Sequence, residues 1–484
     1  MLSDWRPLAN RIQQALSHTP LSSAEKSLIR DLIISSRKLH LKPEPEWKSL
    51  SKIPLVEGMS FDVESGRINS DFSRKLAELT KLLKYLFALT VSLTFARKRV
   101  ELQDKKLTLF YSDGFNNEKR VLFSEFIEES RFAELAHGRT MVIQDRNSWK
   151  SQEINGNFYV KDIGFFLVTN VLSRREKSAL LFRIIKEVLL LNKVATYNYL
   201  GAHRVIAENP LWNSLFTQNL NLKLVATNSY MEILPTPFYS ADKFGIHRYM
   251  IWYSNNNFSI PSAEGTKIKD NRLDFACRTD IDTHFVWTSD FAQSISNRNL
   301  EVEVRVLGSM MMYPRRELDP ILGKFKIAVF DMTPWEGYPL NMYGSELFMQ
   351  SFLEDIVSIC TELPGIQVFL KPKRDFIRGG NRYVHSRKYL ELLDKFEIEN
   401  KITVLDPSTN IYGLAEKSDF TLGFPFASPV IIGKELSKPS YYYNPELSKS
   451  WDLRDSMDGI EVISGRNKLK TKVEEAYRNK LKNS

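Results

Sequence analysis

The chain has 484 residues, 43% of them hydrophobic and 26% charged, with no low-complexity tract; this excludes a disordered or fibrous protein and implies more than one domain. Lys and Arg outnumber Asp and Glu by 67 to 58, and the net charge of +9 is spread along the chain rather than gathered in a basic tail. Such a field suits anionic substrates or an anionic membrane surface, and no nucleic-acid partner is expected.

The only two cysteines, Cys277 and Cys360, stand far apart, so neither a disulfide framework nor a cysteine zinc site is expected, and a reducing cytosol fits. The first residues include Asp4 and lack an apolar core, unlike a secretory signal. Residues 1–100 are predicted to form a helical extension, with Leu28, Leu32 and Ile33 at helical spacing, a second periodic run over 72–93, and a Pro- and Lys-rich connector at 40–54. The most apolar stretch, 85–96, falls short of the roughly 20 residues that span a bilayer. It reads either as a core helix or, through Lys81, Lys84 and Arg97 to Arg99, as a peripheral contact with an anionic membrane.

From about 106 the pattern changes to short apolar runs between polar turns. Strands are predicted at 107–111, 140–143, 222–227, 249–253, 284–287 and 302–307, with a helix over 179–191. Alternation is strict in the last third. Strand 325–330 leads to helix 344–361, whose Met349, Phe352, Leu353, Ile356, Val357 and Cys360 share one face. Strand 367–370, helix 387–396, strand 402–405 and helix 411–417 follow, the last with Asn410 as N-cap. Strand 420–423, helix 430–436, strand 440–443 and a basic terminal helix at 467–480 complete the series. This is the pattern of a doubly wound parallel sheet.

In such a sheet ligands bind beyond the carboxyl ends of the strands. The candidate loops are therefore Asp331-Met332-Thr333-Pro334-Trp335, Lys371-Pro372-Lys373-Arg374, Asp406-Pro407-Ser408-Thr409-Asn410 and Phe424-Pro425-Phe426-Ala427-Ser428-Pro429. They offer three cations at one strand end and two helix starts whose hydroxyls and N–H groups suit an anion such as a nucleotide phosphate, without a metal. The plainer alternative makes Ser408 and Ser428 ordinary N-caps and the lysines solvated.

The motifs FDMTPW (Phe330 to Trp335), FLKPKR (Phe369 to Arg374), LDPS (Leu405 to Ser408), AEKSDFTLGFPFASP (Ala415 to Pro429) and KPSYYYNP (Lys438 to Pro445) resemble the carboxyl-terminal domain of the bacterial polysaccharide-biosynthesis glycosyltransferases named for a Pro-Phe-Thr-Ser motif. Ala427 stands where that name has Thr. HFVWTSD and VRVLGSM agree with it in layout only. The resemblance implies an α/β protein of GT-B fold, with two Rossmann-like domains facing a cleft. The expected division is an acceptor-side domain at 101–318, a nucleotide-sugar-binding domain at 319–445 and a helical segment at 446–484. By its similarity in logic to sialyl- and Kdo-type transferases, it also implies a CMP-sugar donor and a glycan or lipid-linked glycan acceptor, with no other cofactor. UDP- and GDP-sugar enzymes, a sugar-nucleotide epimerase of the same shape and a non-catalytic scaffold remain alternatives.

The donor site is then expected at Asp331, Thr333, Lys371, Lys373, Arg374, Ser408, Thr409, Phe426, Ala427 and Ser428, with Lys371, Lys373 and Arg374 stabilising the departing phosphate. An inverting transfer also needs a base. Asp113, in the Ser-Asp-Gly-Phe-Asn turn, is the first candidate, ahead of Glu232 and His247; a surface turn is its plainer role. Asp280-Ile281-Asp282 matches a DxD metal motif, three letters that recur by chance, and no metal is expected. Cytoplasmic location, with peripheral contact at the membrane's inner face, follows.

Overall fold

Strand β1 (Leu107–Tyr111) is buried along its whole length, as a strand covered on both faces of a parallel sheet must be. It lies within the larger of two sheets in this computed structural model, which describes residues 90, 102, 106–112, 123, 125–145, 151–192, 209–218, 220–230, 234–254, 281–297, 301–311, 316–332, 334, 346–373, 386–425, 427–445 and 456–483. The helical extension expected over 1–100, and the apolar stretch within it, therefore lie outside the described residues save for Thr90, which is helical.

After β1 come α1 (Ala133–Ala136), β2 (Thr140–Gln144), β3 (Gln152–Ile154), β4 (Asn157–Val160), α2 (Ile163–Val171), α3 (Arg174–Asn192) and α4 (Asn209–Phe216). Next are β5 (Leu222–Thr227), α5 (Pro237–Ala241), β6 (His247–Ile251), β7 (Thr283–Val286), α6 (Ser289–Ser296) and β8 (Glu303–Val306). Their sheet has the order β3-β4-β2-β1-β5-β6-β7-β8. Strands β4, β2, β1, β5, β6 and β7 are parallel neighbours, a Rossmann-like order whose direction of winding reverses between β1 and β5.

The second sheet begins with β9 (Phe325–Phe330), α7 (Glu346–Glu362), β10 (Ile366–Lys371), α8 (Arg387–Ile398), β11 (Ile402–Val404) and α9 (Ile411–Lys417). Then follow β12 (Phe420–Gly423), α10 (Ser428–Glu435), β13 (Ser440–Asn444), β14 (Ser456–Met457), β15 (Ile460–Ser464) and α11 (Arg466–Asn483). The order is β11-β10-β9-β12-β13-β15-β14, all parallel except the β14–β15 pair, and the reversal falls between β9 and β12. The predicted apolar face of α7 makes the core: Met349, Phe352, Leu353, Ile356 and Val357 are buried with Val368, Leu370, Leu393 and Tyr443, Phe348 joins them, and Cys360 is partly covered. Each fully buried Leu, Ile or Phe there contributes about 1.5–3 kcal/mol.

Two elements depart from the sequence expectation for one reason. Asn155 and Gly156 (φ 52° and 75°) join β3 to β4, and Asp458 and Gly459 (φ 52° and 66°) join β14 to β15. Both are the two-residue turn whose left-handed φ values favour Asn-Gly and Asp-Gly. The segment 446–484, expected as helical, thus also supplies two strands, and β15 pairs with β13, extending the sheet past Pro445.

Candidate functional site

At the reversal point of the second sheet, β9 ends at Phe330 and β12 at Gly423, paired in register. Gly423 allows the chain to turn at once into α10: a Cβ there would lie 2.7 Å from Val430 Cγ2 and 3.0 Å from Ala427 Cβ. Neither Gly423 nor the buried Ser386 and Tyr389 is singled out by sequence reasoning. The glycine between an apolar strand and a helix is the one signal that pointed there.

Asp331, 3% exposed, follows β9 directly. Its Oδ1 accepts the Lys373 backbone N–H at 2.8 Å and its Oδ2 accepts the Tyr389 hydroxyl at 2.8 Å. Tyr389 is fully buried, and burial with the adjacent carboxylate pushes its phenol well above the usual range. Its backbone N–H donates to Ser386 Oγ at 3.2 Å, and the Ser386 hydroxyl donates to Glu346 Oε2 at 2.5 Å.

The three-cation cluster divides in the structure. Lys371 is 7% exposed, and its ammonium donates to the Pro407 carbonyl at 2.7 Å and the Pro372 carbonyl at 3.4 Å. Burial lowers its pKa, opposed by Asp331 and Asp406. Lys373 is exposed. Arg374, Thr333 and Phe426 lie outside the described residues, as do Asp113, Glu232 and Asp280.

The helix starts differ from the expectation in detail. Asn410 caps α9 as predicted, accepting the Gly413 N–H at 3.1 Å. Ser408 is no cap: its hydroxyl and N–H donate to Asp406 Oδ1 at 2.5 and 2.7 Å, and these bonds hold the Asp406 carboxyl below its ordinary range. The Thr409 N–H donates to the Asp406 carbonyl at 2.9 Å. Ser428 is the first residue of α10, and the N-cap is Ala427, which makes no side-chain cap. Few N–H groups are left for an anion at the start of α10, because Ala427 donates to Phe424 O, Val430 donates to Ala427 O and Pro429 has no N–H.

In the first sheet the buried Asp145 follows β2 at the carboxyl edge, and its N–H donates to the Val160 carbonyl at 2.7 Å. The Tyr230 hydroxyl lies 3.2 Å from Gln144 Oε1 and 3.5 Å from the Ser112 carbonyl. The hydroxyl of Thr227, the last residue of β5, is buried without a hydrogen-bond partner. His247 opens β6 and so lies at the amino edge, away from the expected base position; its Nε2 is 2.8 Å from Thr283 Oγ1. Asp282, the described aspartate of the DxD motif, binds the buried Arg248 through Nε at 3.0 Å and a terminal nitrogen at 2.7 Å. That pairing gives the carboxylate a structural role.

Two Rossmann-like sheets, the second with a polar cluster at its reversal point, define an α/β protein. The chain belongs to the polysaccharide biosynthesis PFTS motif protein family, which it matches over residues 178–473. No curated protein matches it. Among solved structures it is similar to a variant of the wall teichoic acid polymerase TagF (11% identity, 86% of this chain and 92% of that one, TM-score 0.41). It is also similar to MnaA of S. aureus with UDP (10%, 76% and 87%, TM-score 0.40) and to HepE of Anabaena in complex with UDP-glucose (10%, 78% and 91%, TM-score 0.37). The chain spans about half the length of TarM, another match, covering 49% of it (10% identity, 54% of this chain, TM-score 0.32). Among the described residues no helix is long and apolar enough to cross a membrane.

Proposed function

We propose that this protein is a glycosyltransferase that moves a sugar from a nucleotide donor to a glycan or lipid-linked glycan acceptor in polysaccharide biosynthesis. Family membership supports the setting. One observation carries the chemistry: exposed Lys373 is tethered through its own backbone N–H to Asp331, at the carboxyl edge beside the β9/β12 reversal. A Rossmann-like sheet binds nucleotides at that place. Lys373 and Arg374 stabilise the departing phosphate, and the α10 start, with Ser428 and Ala427, supplies helix-dipole stabilisation. Thr333, Thr409 and Phe426 complete the proposed donor contacts.

The domain at 319–445, together with β15, serves the donor, and 101–318 serves the acceptor. Asp113, directly after β1 and Ser112, is the proposed base for an inverting transfer. A basic loop on β10 beside the hydroxyl-bearing turn after β11 is the arrangement the resemblance associates with CMP donors, so a CMP-activated 2-keto sugar acid is the first donor to test. Cytoplasmic action, with contact at an anionic membrane face, belongs to the same proposal.

Calorimetric titration with CMP, UDP and GDP tests the reading. CMP is expected to bind best. Lys373→Ala and Arg374→Ala are each expected to weaken binding about tenfold, because each charge-assisted bond to phosphate is worth about 1.5–3 kcal/mol. No binding of any nucleotide sinks the proposal and favours a scaffold. Conversion of the donor sugar without an acceptor favours an epimerase.

A further inference from the structure

The Lys371 ammonium is turned away from solvent onto two backbone carbonyls, one in its own loop and one in the turn after β11. Asp331 bridges the end of β9 to the backbone after β10 and to α8 through Tyr389. Ser386 carries the network on to Glu346 at the start of α7, and its own N–H donates to the Pro334 carbonyl at 3.0 Å. Three strand ends and two helix starts therefore meet in one hydrogen-bonded frame. Its central side chains are almost fully buried: Asp331 3%, Lys371 7% and Tyr389 0% exposed. A lysine serving a phosphate keeps its ammonium at the surface, as Lys373 can and Lys371 does not.

We propose that Asp331, Lys371 and Tyr389 are positioning residues that fix the Pro372–Lys373 backbone and the Pro407 turn, so that Lys373 meets the donor phosphate while none of the three touches the ligand. This rests on the nucleotide-donor reading above and reassigns Lys371 from phosphate contact to support. Buried, hydrogen-bonded second-row residues of this kind set the orientation of the groups that do the chemistry.

The test has a part that needs no ligand. Amide hydrogen exchange at Lys373 is measured in the free protein, for wild type and Tyr389→Phe. Loss of the hydroxyl is expected to loosen Asp331 and speed exchange at Lys373 about tenfold, a local opening made easier while the global fold persists. Calorimetry with CMP, UDP and GDP then reads the consequence. Tyr389→Phe is expected to weaken binding several-fold while leaving the salt dependence of affinity unchanged, because no charge is altered. Lys373→Ala is expected to flatten that salt dependence.

Conservative exchange separates the two lysines. Lys373→Arg keeps affinity because charge at the surface is what counts there, whereas Lys371→Arg loses it because the buried slot fits an ammonium. If Tyr389→Phe does not fold, Asp331→Asn is read in the same two measurements. Unchanged exchange at Lys373, or full affinity in Lys371→Arg, overturns the assignment. Absence of nucleotide binding by wild type sinks the functional reading instead, and the exchange data then decide separately whether the frame exists.

Discussion

The two sheets share one winding order but employ the charges at their edges differently. In the second sheet, Asp331, Lys371, Lys373 and Asp406 sit at or just beyond the carboxyl ends of β9, β10 and β11. In the first, one described cluster lies at the amino edge: Arg305 pairs with Glu134 and Glu303 at 2.6 Å each, and Lys223 donates to the Glu134 carbonyl at 2.8 Å. Arg139 there donates to the Leu107 and Asn221 carbonyls at 2.6 and 2.7 Å. These partners are internal, so the amino-edge charges bind strands together, whereas Lys373 is exposed at the carboxyl edge of the second sheet. Topology makes both carboxyl edges eligible for binding, and the exposed lysine beside the β9/β12 reversal marks the edge proposed for the anion.

The comparison breaks most sharply on one aspartate from each sheet. Asp331→Ala strips the acceptor from a buried tyrosine hydroxyl and the Lys373 N–H and leaves Lys371 with Asp406 as its remaining acidic neighbour, an expected loss of about 3 kcal/mol. Asp282→Ala leaves the 4%-exposed Arg248 without its bidentate partner, at a cost of about 3–5 kcal/mol. Urea denaturation measures both. Nucleotide affinity, read at a temperature where each variant is folded, is expected to fall only for Asp331→Ala; a fall in Asp282→Ala would move the anion site away from the second sheet.

Packing gives a smaller contrast. A Cβ on Gly433 would meet Thr421 Oγ1 at 2.1 Å and Ser440 Oγ at 2.7 Å, so Gly433→Ala is expected to cost about 1–3 kcal/mol through overpacking of α10 on its sheet. On Gly164 the nearest atoms, Leu211 Cδ2 and Trp212 Cζ2, are 3.2 Å away, and Gly164→Ala is expected to change thermal stability by less than about 1 kcal/mol. Equal losses would refute the tight α10 contact.

The smallest effect is a pH dependence. Burial lowers the folded pKa of Lys371 below its ordinary 10.5, so between that lowered value and 10.5 the folded chain binds fewer protons than the unfolded chain. Stability contributed by this group therefore rises with pH across that window. Tyr389, raised above 10, acts oppositely above about pH 10, but it is common to wild type and Lys371→Met and cancels in their difference. Denaturation at pH 7 and 9.5 is expected to show wild type gaining on Lys371→Met at the higher pH; a constant difference would show Lys371 to be solvated.

Most of the second sheet was legible in advance because buried parallel strands and amphipathic helices carry strong local signals. Strands β9 and β12 and helix α9 fall where the pattern placed them, and the Met349-to-Val357 face packs as its spacing predicts. The β3–β4 and β14–β15 hairpins were missed although Asn155-Gly156 and Asp458-Gly459 were in view, because polar residues in β3, β14 and β15 break up the apolar run that marks strands such as β1. The candidate loops were legible as loops. The direction of each side chain within them was not: Ser408 turns to Asp406, Lys371 turns inward, and Ala427 takes the cap position expected of Ser428.

The sequence by itself determined the α/β alternation, the core faces and the four loops at one sheet edge, all of which depend on periodicity and on residues a few positions apart. Tertiary structure decided which lysine is buried and which is exposed. That depends on Asp331 meeting Tyr389 across 58 positions and Lys371 meeting the Pro407 carbonyl across 36, contacts that only the sheet order creates.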